Sequence, residues 1–411
     1  MSLPTVVICV DHAYVSGGQS KVAIESAIGL KAAGCRVIFF AACGPVDERL
    51  EAAGVETVCL GQHDILGNPS RLAAARQGIW NAEAAKALAE TLDHLSCDRT
   101  IVHVHGWAKA LSPSIAKPIQ AAGLPAVYTM HEFFLNCPNG GFYNFQKKEV
   151  CALKPMSAAC WATNCDSRNY PFKLWRNARL FVAEHVAHLG ETFSDILLLS
   201  DLQEQVLQNC LPKDAGIHRV TNPVEAEPLG PKPDPATGDY LFVGRLSAEK
   251  GAFLFAEAAQ RAGVIPVFIG DGPIAGELAA RFPQARLLGW RAPAEVREAM
   301  RAARALVFPS LWYETFGLTA LEAKAIGTPT IVADGCAARE AVENGVTGLW
   351  FRSGDVDSLA SAIREANNDA VIAQMAQAAY DAYWAAPATL ERHVAETLKV
   401  YDEMLAREGA A

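Results

Sequence analysis

The feature that most limits how this chain can fold is a proline-rich break between residues 222 and 238. Five prolines fall there: Pro223, Pro228, Pro231, Pro233 and Pro235. Each removes a backbone donor and fixes φ, so the stretch continues neither a helix nor a central strand. It divides 411 residues, more than one ordinary core holds. The same rhythm runs on both sides. Short apolar runs read as buried strands at 5–10, 36–41, 56–60, 100–104, 126–130 and 196–200, and again at 240–243, 266–269, 286–288, 305–308 and 330–332. Helix-period stretches lie between them, including an alanine-rich one over 70–95. Strands alternating with helices build parallel sheets. The expectation is an α/β chain of two facing domains, residues 1–222 and 239–386, joined by a linker at 223–238 and followed by a helical segment at 387–411.

Composition narrows the class. Charged residues are 20% and hydrophobic ones 51%, a globular balance. The net charge of -9 disfavours a general nucleic-acid binder. The charge is uneven: residues 1–225 carry 19 Lys and Arg against 21 Asp and Glu, the remainder 17 against 24. The first half is therefore the better candidate to meet an acidic partner or a membrane surface. The run 5–10 ends at Asp11 and is too short for a secretory core. No stretch approaches the roughly 20 apolar residues that span a bilayer. A cytoplasmic location, with membrane association at most peripheral, is expected. The eleven cysteines are then thiols or metal ligands rather than structural disulfides.

The most informative stretch follows the apolar run 305–308. It breaks at Pro309-Ser310, and a helical pattern begins near Phe316, with Leu318, Leu321 and Ala325 on one face. Glu314 thus sits where a strand leaves a sheet, and Glu322 in the first turns of a helix. Ligands bind at that edge of an open α/β sheet. The helix's first amides carry partial positive charge, and Gly317 leaves them uncovered, so a phosphate fits there. Eight residues of helix rise about 12 Å, whereas a glycosidase carboxyl pair stands roughly 5–9.5 Å apart. Two grips on one long ligand fit better. Thr319 and Glu322 could instead form a capping box.

Other constellations sit at equivalent places. Gly244-Arg245 through Lys250-Gly251 follows the run 240–243, giving two cations on a strand-to-helix loop. They could neutralise a diphosphate without a metal, or be ordinary surface charges. Gly17-Gly18 lets backbone amides approach a ligand, or makes a plain turn. There is no G-x-G-x-x-G and no Walker sequence, which disfavours a dinucleotide cofactor or ATP hydrolysis. His103 and His105 share one strand face. His131, followed by Glu132, ends the run 126–130 and could bond a sugar or acceptor hydroxyl. Cys137, Cys151, Cys160 and Cys165 fall in a stretch rich in Gly, Asn and Pro. They could hold a structural zinc, stay free thiols or form disulfides. Arg168, Phe172, Lys173, Trp175, Arg176 and Arg179 make a basic aromatic run over 168–179 that could lie on anionic lipid or grip an acidic acceptor, or be a helix with snorkelling cations. Asp355-Val356-Asp357 resembles a metal-binding D-x-D, but its setting before Leu359 and Ile363 reads as an N-cap.

Together these residues resemble the retaining glycosyltransferases of the GT-B fold, the group 1 or family 4 type. The resemblance rests on Glu314 and Glu322 with seven residues between them, Gly244 to Gly251, Gly270-Asp271-Gly272-Pro273, Phe308-Pro309-Ser310, Asn344-Gly345 with Gly348-Leu349, Gly17-Gly18 and His131. It implies two Rossmann-like domains, an acceptor-binding first and a donor-binding second, with the C-terminal helix crossing back to the first. It implies that Arg245 and Lys250 neutralise a leaving diphosphate, that Glu314 holds sugar hydroxyls and Glu322 the ribose. Amides near Phe316, Gly317 and Leu318 would cap the diphosphate, with Gly244 and Gly272 in the donor loops. Gly17 and Gly18 would approach donor and acceptor, and His131 the sugar. The implied activity is metal-independent, retaining transfer of a hexose-type sugar from a nucleotide-diphosphate sugar to a glycan, lipid-linked or small-molecule acceptor, with no catalytic cofactor. A non-catalytic sugar-nucleotide sensor, or an epimerase or hydrolase on the same fold, is the alternative. The segment Asp334 to Glu340 departs from the resemblance, lacking the proline that usually precedes the glutamate.

Overall fold

A computed structural model of the protein describes residues 3–96 and 99–408. Along the first domain run β1 (Thr5–His12), β2 (Arg36–Cys43), β3 (Glu56–Cys59), β4 (Thr100–Val104) and β5 (Ala126–Thr129). A small hairpin of β6 (Tyr143–Asn144) and β7 (Glu149–Val150) follows, then β8 (Asp195–Leu198) and β9 (Gly216–Arg219). The second domain carries β10 (Tyr240–Val243), β11 (Pro266–Ile269), β12 (Arg286–Leu287), β13 (Ala305–Phe308), β14 (Thr330–Ala333) and β15 (Gly348–Phe351). The two large sheets run β3-β2-β1-β4-β5-β8-β9 and β12-β11-β10-β13-β14-β15, parallel throughout. The chain is therefore two Rossmann-like α/β domains, as the alternation of apolar runs indicates. Each sheet changes direction of winding beside its first strand, between β1 and β4 and between β10 and β13. Crevices open outside the carboxyl ends at such points.

The central strands form because most of their residues are apolar; polar ones such as Asp11 and His103 are buried with hydrogen-bond partners. Val6 to Val10 are wholly buried, as strands covered by helices on both faces must be. The helix Gly18–Ala32 covers one face through Val22, Ala23, Ala27 and Leu30. Several elements differ from the sequence expectation. The alanine-rich stretch is two helices, Arg71–Ile79 and Ala82–Leu92. Trp80 leaves helical geometry, and the Asn81 side chain starts the second helix by accepting from the Ala84 amide. The strands β9 and β15 and the hairpin were not anticipated, each being short or half exposed.

Residues 223–238 form neither helix nor strand, and Val224 N donates to Ala388 O at 2.8 Å. The last helix, Leu390–Glu408, packs on the first domain; residues 409–411 lie outside the described residues. Val394, Val400, Tyr401 and Met404 join the core of β1, β2 and helix Gly18–Ala32. Gly29 makes room, since a Cβ there would lie 2.6 Å from Val394 Cγ2. Tyr401 also bonds His103 Nδ1 at 2.7 Å. Tyr401→Ala should cost about 3–5 kcal/mol, the range for emptying a large aromatic site. The midpoint shift in urea unfolding of the full chain measures it.

Candidate functional site

The site is built on two loops at the carboxyl edge of the second sheet. After β10 the chain makes a short turn, Ala248–Lys250, and reverses at Gly251 with φ +75°. A Cβ at Gly251 would stand 1.9 Å from Pro309 O, so only glycine lets this loop lie against the one after β13. That contact brings Lys250 Nζ to Glu314 Oε1 at 2.7 Å. Ser310 Oγ donates to the same oxygen at 2.6 Å, and the Trp312 ring centroid lies 5.2 Å from Lys250 Nζ. The Glu314 side chain is 12% exposed. Burial pushes its carboxyl up, but the Lys250 charge and the bonds from Lys250 and Ser310 outweigh it and hold it below the usual range. Glu314 itself has φ +52°. A non-glycine residue held there costs of order 1–3 kcal/mol and marks sites whose surroundings over-determine the backbone.

Past Phe316, Gly317 is the N-cap of helix Leu318–Ala325, with φ +102° and no side-chain cap. The Thr319–Glu322 capping box therefore does not form: the helix has already begun at Leu318, so Thr319 lies inside it rather than at its N-cap. The first amides are left for a ligand. Facing this end is another. Gly17 is the uncapped N-cap of helix Gly18–Ala32, and a Cβ on Gly18 would come within 3.2 Å of Leu318 Cδ1. Two positive helix ends thus converge across the interdomain cleft. Further contacts close it. Lys21 Nζ lies 3.6 Å from Glu322 Oε1, Thr315 Oγ1 donates to His131 O at 3.0 Å, and Gly141 packs under Trp312. Glu340 accepts from the amides of Asp201 and Leu202 at 2.9 and 2.8 Å, so it caps a first-domain helix from the second domain.

Behind the cleft runs a buried histidine column. His131 Nε2 meets His105 Nδ1 at 2.9 Å, the His105 and His103 rings stand 4.1 Å apart, and His103 bonds Thr129 and Tyr401. Burial pushes His131 down to about 3 and both others well below the ordinary histidine value. His131 is thus a neutral imidazole. Arg245 stands exposed on the loop that carries Lys250. Gly270 and Gly272 let loops stack: a Cβ on Gly270 would meet Gly244 O at 2.0 Å, and one on Gly272 would meet Leu246 O at 2.2 Å. The structure gathers Lys250, Glu314, Gly317, Leu318, Gly18, Glu322 and His131 at one cleft. Sequence reasoning missed Lys21 and Trp312, and named Ser310, His105 and Glu340 without the contacts they make here. Lys21 had a signal, being a cation in the first turn of a helix, where the dipole opposes it.

Two expectations are corrected. Among the described residues no group of three Cys, His, Asp or Glu side chains is placed to hold a metal, so Cys137, Cys151, Cys160 and Cys165 do not form a zinc site. Hydrogen bonds order their loop instead, as when Asn139 Nδ2 donates to Tyr143 O and Cys165 O. The 168–179 run does not offer lipid a basic face. It lies on helix Tyr170–Val182 with Lys173 and Arg179 buried and Arg176 held by Asp166 at 2.6 Å. Asp355 accepts from the Ser358 amide as the N-cap of helix Val356–Ala366. No helix among the described residues is long and apolar enough to cross a membrane.

Two parallel α/β domains meeting at opposed helix ends define the GT-B type of architecture. Residues 231–382 match the family model described as glycosyl transferases group 1, and residues 16–170 that of glycosyltransferase family 4. The chain belongs to this glycosyltransferase family. It is 28% identical over 302 residues to a glycogen synthase of Mycobacterium tuberculosis, covering 69% of this chain and 64% of that protein. It is 25% identical over 380 residues to a D-inositol 3-phosphate glycosyltransferase of Mycobacterium marinum, covering 85% of this chain and 72% of the other. The match thus spans under two thirds of the glycogen synthase's length. Among solved structures, the fold is shared with a sucrose-phosphate synthase from Thermosynechococcus elongatus (TM-score 0.72, 16% identity, 98% of this chain and 100% of that one). It is shared too with an Anabaena protein in complex with UDP and glucose (TM-score 0.67, 16% identity, 97% and 100%).

The histidine column carries a pH dependence. An unfolded histidine protonates near pH 6.5, whereas folded His131 does so only at about 3. A lowered folded value contributes stability that is complete above pH 6.5 and is lost as pH falls toward 3. The urea midpoint should therefore drop as buffer moves from pH 7 to pH 4, and the drop should shrink in His105→Asn.

Proposed function

We propose that the protein moves a hexose-type sugar from a nucleotide-diphosphate sugar to a hydroxyl of a glycan, lipid-linked glycan or small molecule, with retained configuration and without a metal. The observation that carries this is the Lys250–Glu314 pair set beside two converging helix N-termini. A diphosphate placed there meets the amides near Phe316, Gly317 and Leu318 together with Lys250 and Arg245, donors suited to negative charge that grows as the sugar leaves. Glu314 turns its carboxylate to sugar hydroxyls and Glu322 to the ribose, each a charge-assisted bond. His131, neutral, offers or accepts one hydrogen bond at the sugar without adding charge. The bond from the anomeric carbon to phosphate breaks, and the bond to the acceptor oxygen forms on the same face. The departing phosphate takes the acceptor proton, so no side-chain nucleophile is required. The Anabaena structure's UDP and glucose support a nucleotide sugar as donor.

Glu314→Ala and Lys250→Ala should each lower turnover by at least about 100-fold, the scale of losing one preorganised charge contact, with far-UV circular dichroism unchanged. Unaltered turnover in both would overturn the assignment. A thermal-shift screen of UDP-, GDP- and ADP-sugars identifies the donor through the stabilisation that ligand binding confers. Free nucleotide or an epimer appearing without acceptor would move the reading to a hydrolase or epimerase. Binding without turnover across an acceptor panel would move it to a sensor.

A further inference from the structure

Beside the cleft lies a cluster that the transfer chemistry does not use. Lys173 is 1% exposed, and its ammonium donates to Cys160 Sγ at 3.4 Å. Two more buried thiols share the space. Cys137 Sγ donates to Asn139 Oδ1 at 3.2 Å, and Asn139 Nδ2 donates to Cys165 Sγ at 3.3 Å. Asp166, next to Cys165, is taken by Arg176, so sulfur rather than carboxylate faces the lysine. Burial pushes the Cys137 thiol up, and that of Cys165 to about 11. Residue Cys160, whose sulfur touches the amine, is 7% exposed, so a reagent that reaches it must be as small as a peroxide.

We propose that Cys160 and Lys173 form a redox-modifiable pair, in which hydrogen peroxide or a related hydroperoxide oxidises Cys160 and Lys173 captures the product as a sulfenamide. The sulfur attacks the peroxide, the O–O bond breaks, and a sulfenic acid and one water form. Lys173 gives up its ammonium proton to solvent, and its nitrogen attacks the sulfur. The S–N bond forms, the S–O bond breaks, and hydroxide leaves with the second nitrogen proton as another water. One peroxide is reduced to water, and the sulfur is oxidised by two electrons.

The link has a route to the cleft. It draws helix Ala158–Ala162, which bears Cys160, onto helix Tyr170–Val182, which bears Lys173. Cys165 moves with them and pulls on Asn139. Two residues on, Gly141 lies under Trp312, where a Cβ would come within 2.7 Å of the ring. That ring stands over Lys250. Oxidation therefore loosens the Gly141–Trp312 contact; its effect on donor handling rests on the proposed function, whereas the bond itself does not.

The full chain is treated with hydrogen peroxide, digested with trypsin and analysed by mass spectrometry. A Cys160–Lys173 linked peptide pair, lighter by two hydrogens than its parts, is expected. It should be lost with dithiothreitol and absent from Cys160→Ser. Hydrogen exchange over residues 139–143 and 310–316 should become several-fold faster on oxidation and recover on reduction, and Cys160→Ser should show no such change. Trypsin cleavage at Lys173 throughout, Cys–Cys links alone, or Cys160 found only as sulfinic acid would each overturn the pair. A link that leaves exchange unchanged would overturn the route to Trp312. Neither measurement depends on transferase activity.

Discussion

The cleft depends on one ion pair. Lys250 and Glu314 are 64 residues apart, on loops that touch where Gly251 lies against Pro309 O. Removing one partner from a mostly buried pair leaves the other charge uncompensated, which costs far more than the pair contributes. The pair therefore fixes both loops, and Glu314 tolerates its left-handed backbone because Lys250 and Ser310 hold its carboxylate. Lys21 and Glu322 repeat the device at longer range across the cleft. Lys250, Glu314, Lys21 and Glu322 near the helix ends are thus each paired. A ligand must exchange these bonds for its own, so the net gain on binding comes from the phosphate charge that the helix termini and cations are arranged to meet, more than from hydroxyl contacts alone.

The first domain is tied to the second by more than the cleft. Helix Leu390–Glu408 returns to lie along Gly18–Ala32, and His393 meets Ser26 at 2.7 Å while Tyr401 meets His103. The histidine column runs from that buried joint to His131 at the cleft. Each of its rings is kept neutral by burial, so the column is rigid and polar without being charged. Glu340 adds a second tie by capping the helix that begins at Asp201. It occupies the segment where the sequence departs from the family resemblance, and both its carboxylate oxygens are taken by this cap.

Much of this was legible in the chain because it is written in local pattern. Runs such as 240–243 and 305–308 are apolar since both faces are covered, and the proline-rich break has no other local reading. Glu314 and Lys250 stood out because their loops leave strands. What pattern could not give is partnership across distance. Nothing near His105 in sequence announces His131 as its bond partner, and Lys21 gains meaning only once Glu322 is opposite. The strand β9 was missed because a half-exposed edge such as Gly216–Arg219 lacks a continuous apolar run, and β15 because Gly348–Phe351 is too short to stand out. The cysteine loop was misjudged for a related reason. Irregular spacing of thiols says that something must order the stretch, yet Asn139 does it with hydrogen bonds.

The basic aromatic helix shows how composition misleads when burial is ignored. Arg179 stands among the rings of Trp107, Phe134 and Trp175, with its Cζ 5.6, 4.8 and 5.1 Å from their centroids, and donates to Ala108 O at 2.6 Å. Burial pushes its guanidinium down to about 9. Aromatic faces and a carbonyl stand in for water around a cation that has lost its solvent. The alternation of basic and aromatic residues is thus an internal packing code and not a surface for lipid. Because Phe134 follows His131 by three residues, the Arg179 cage also braces the turn that presents His131 to the cleft. Lys173, six residues earlier on the same helix, faces the thiols. One helix therefore supports the neutral imidazole with one buried cation and the cysteine loop with another.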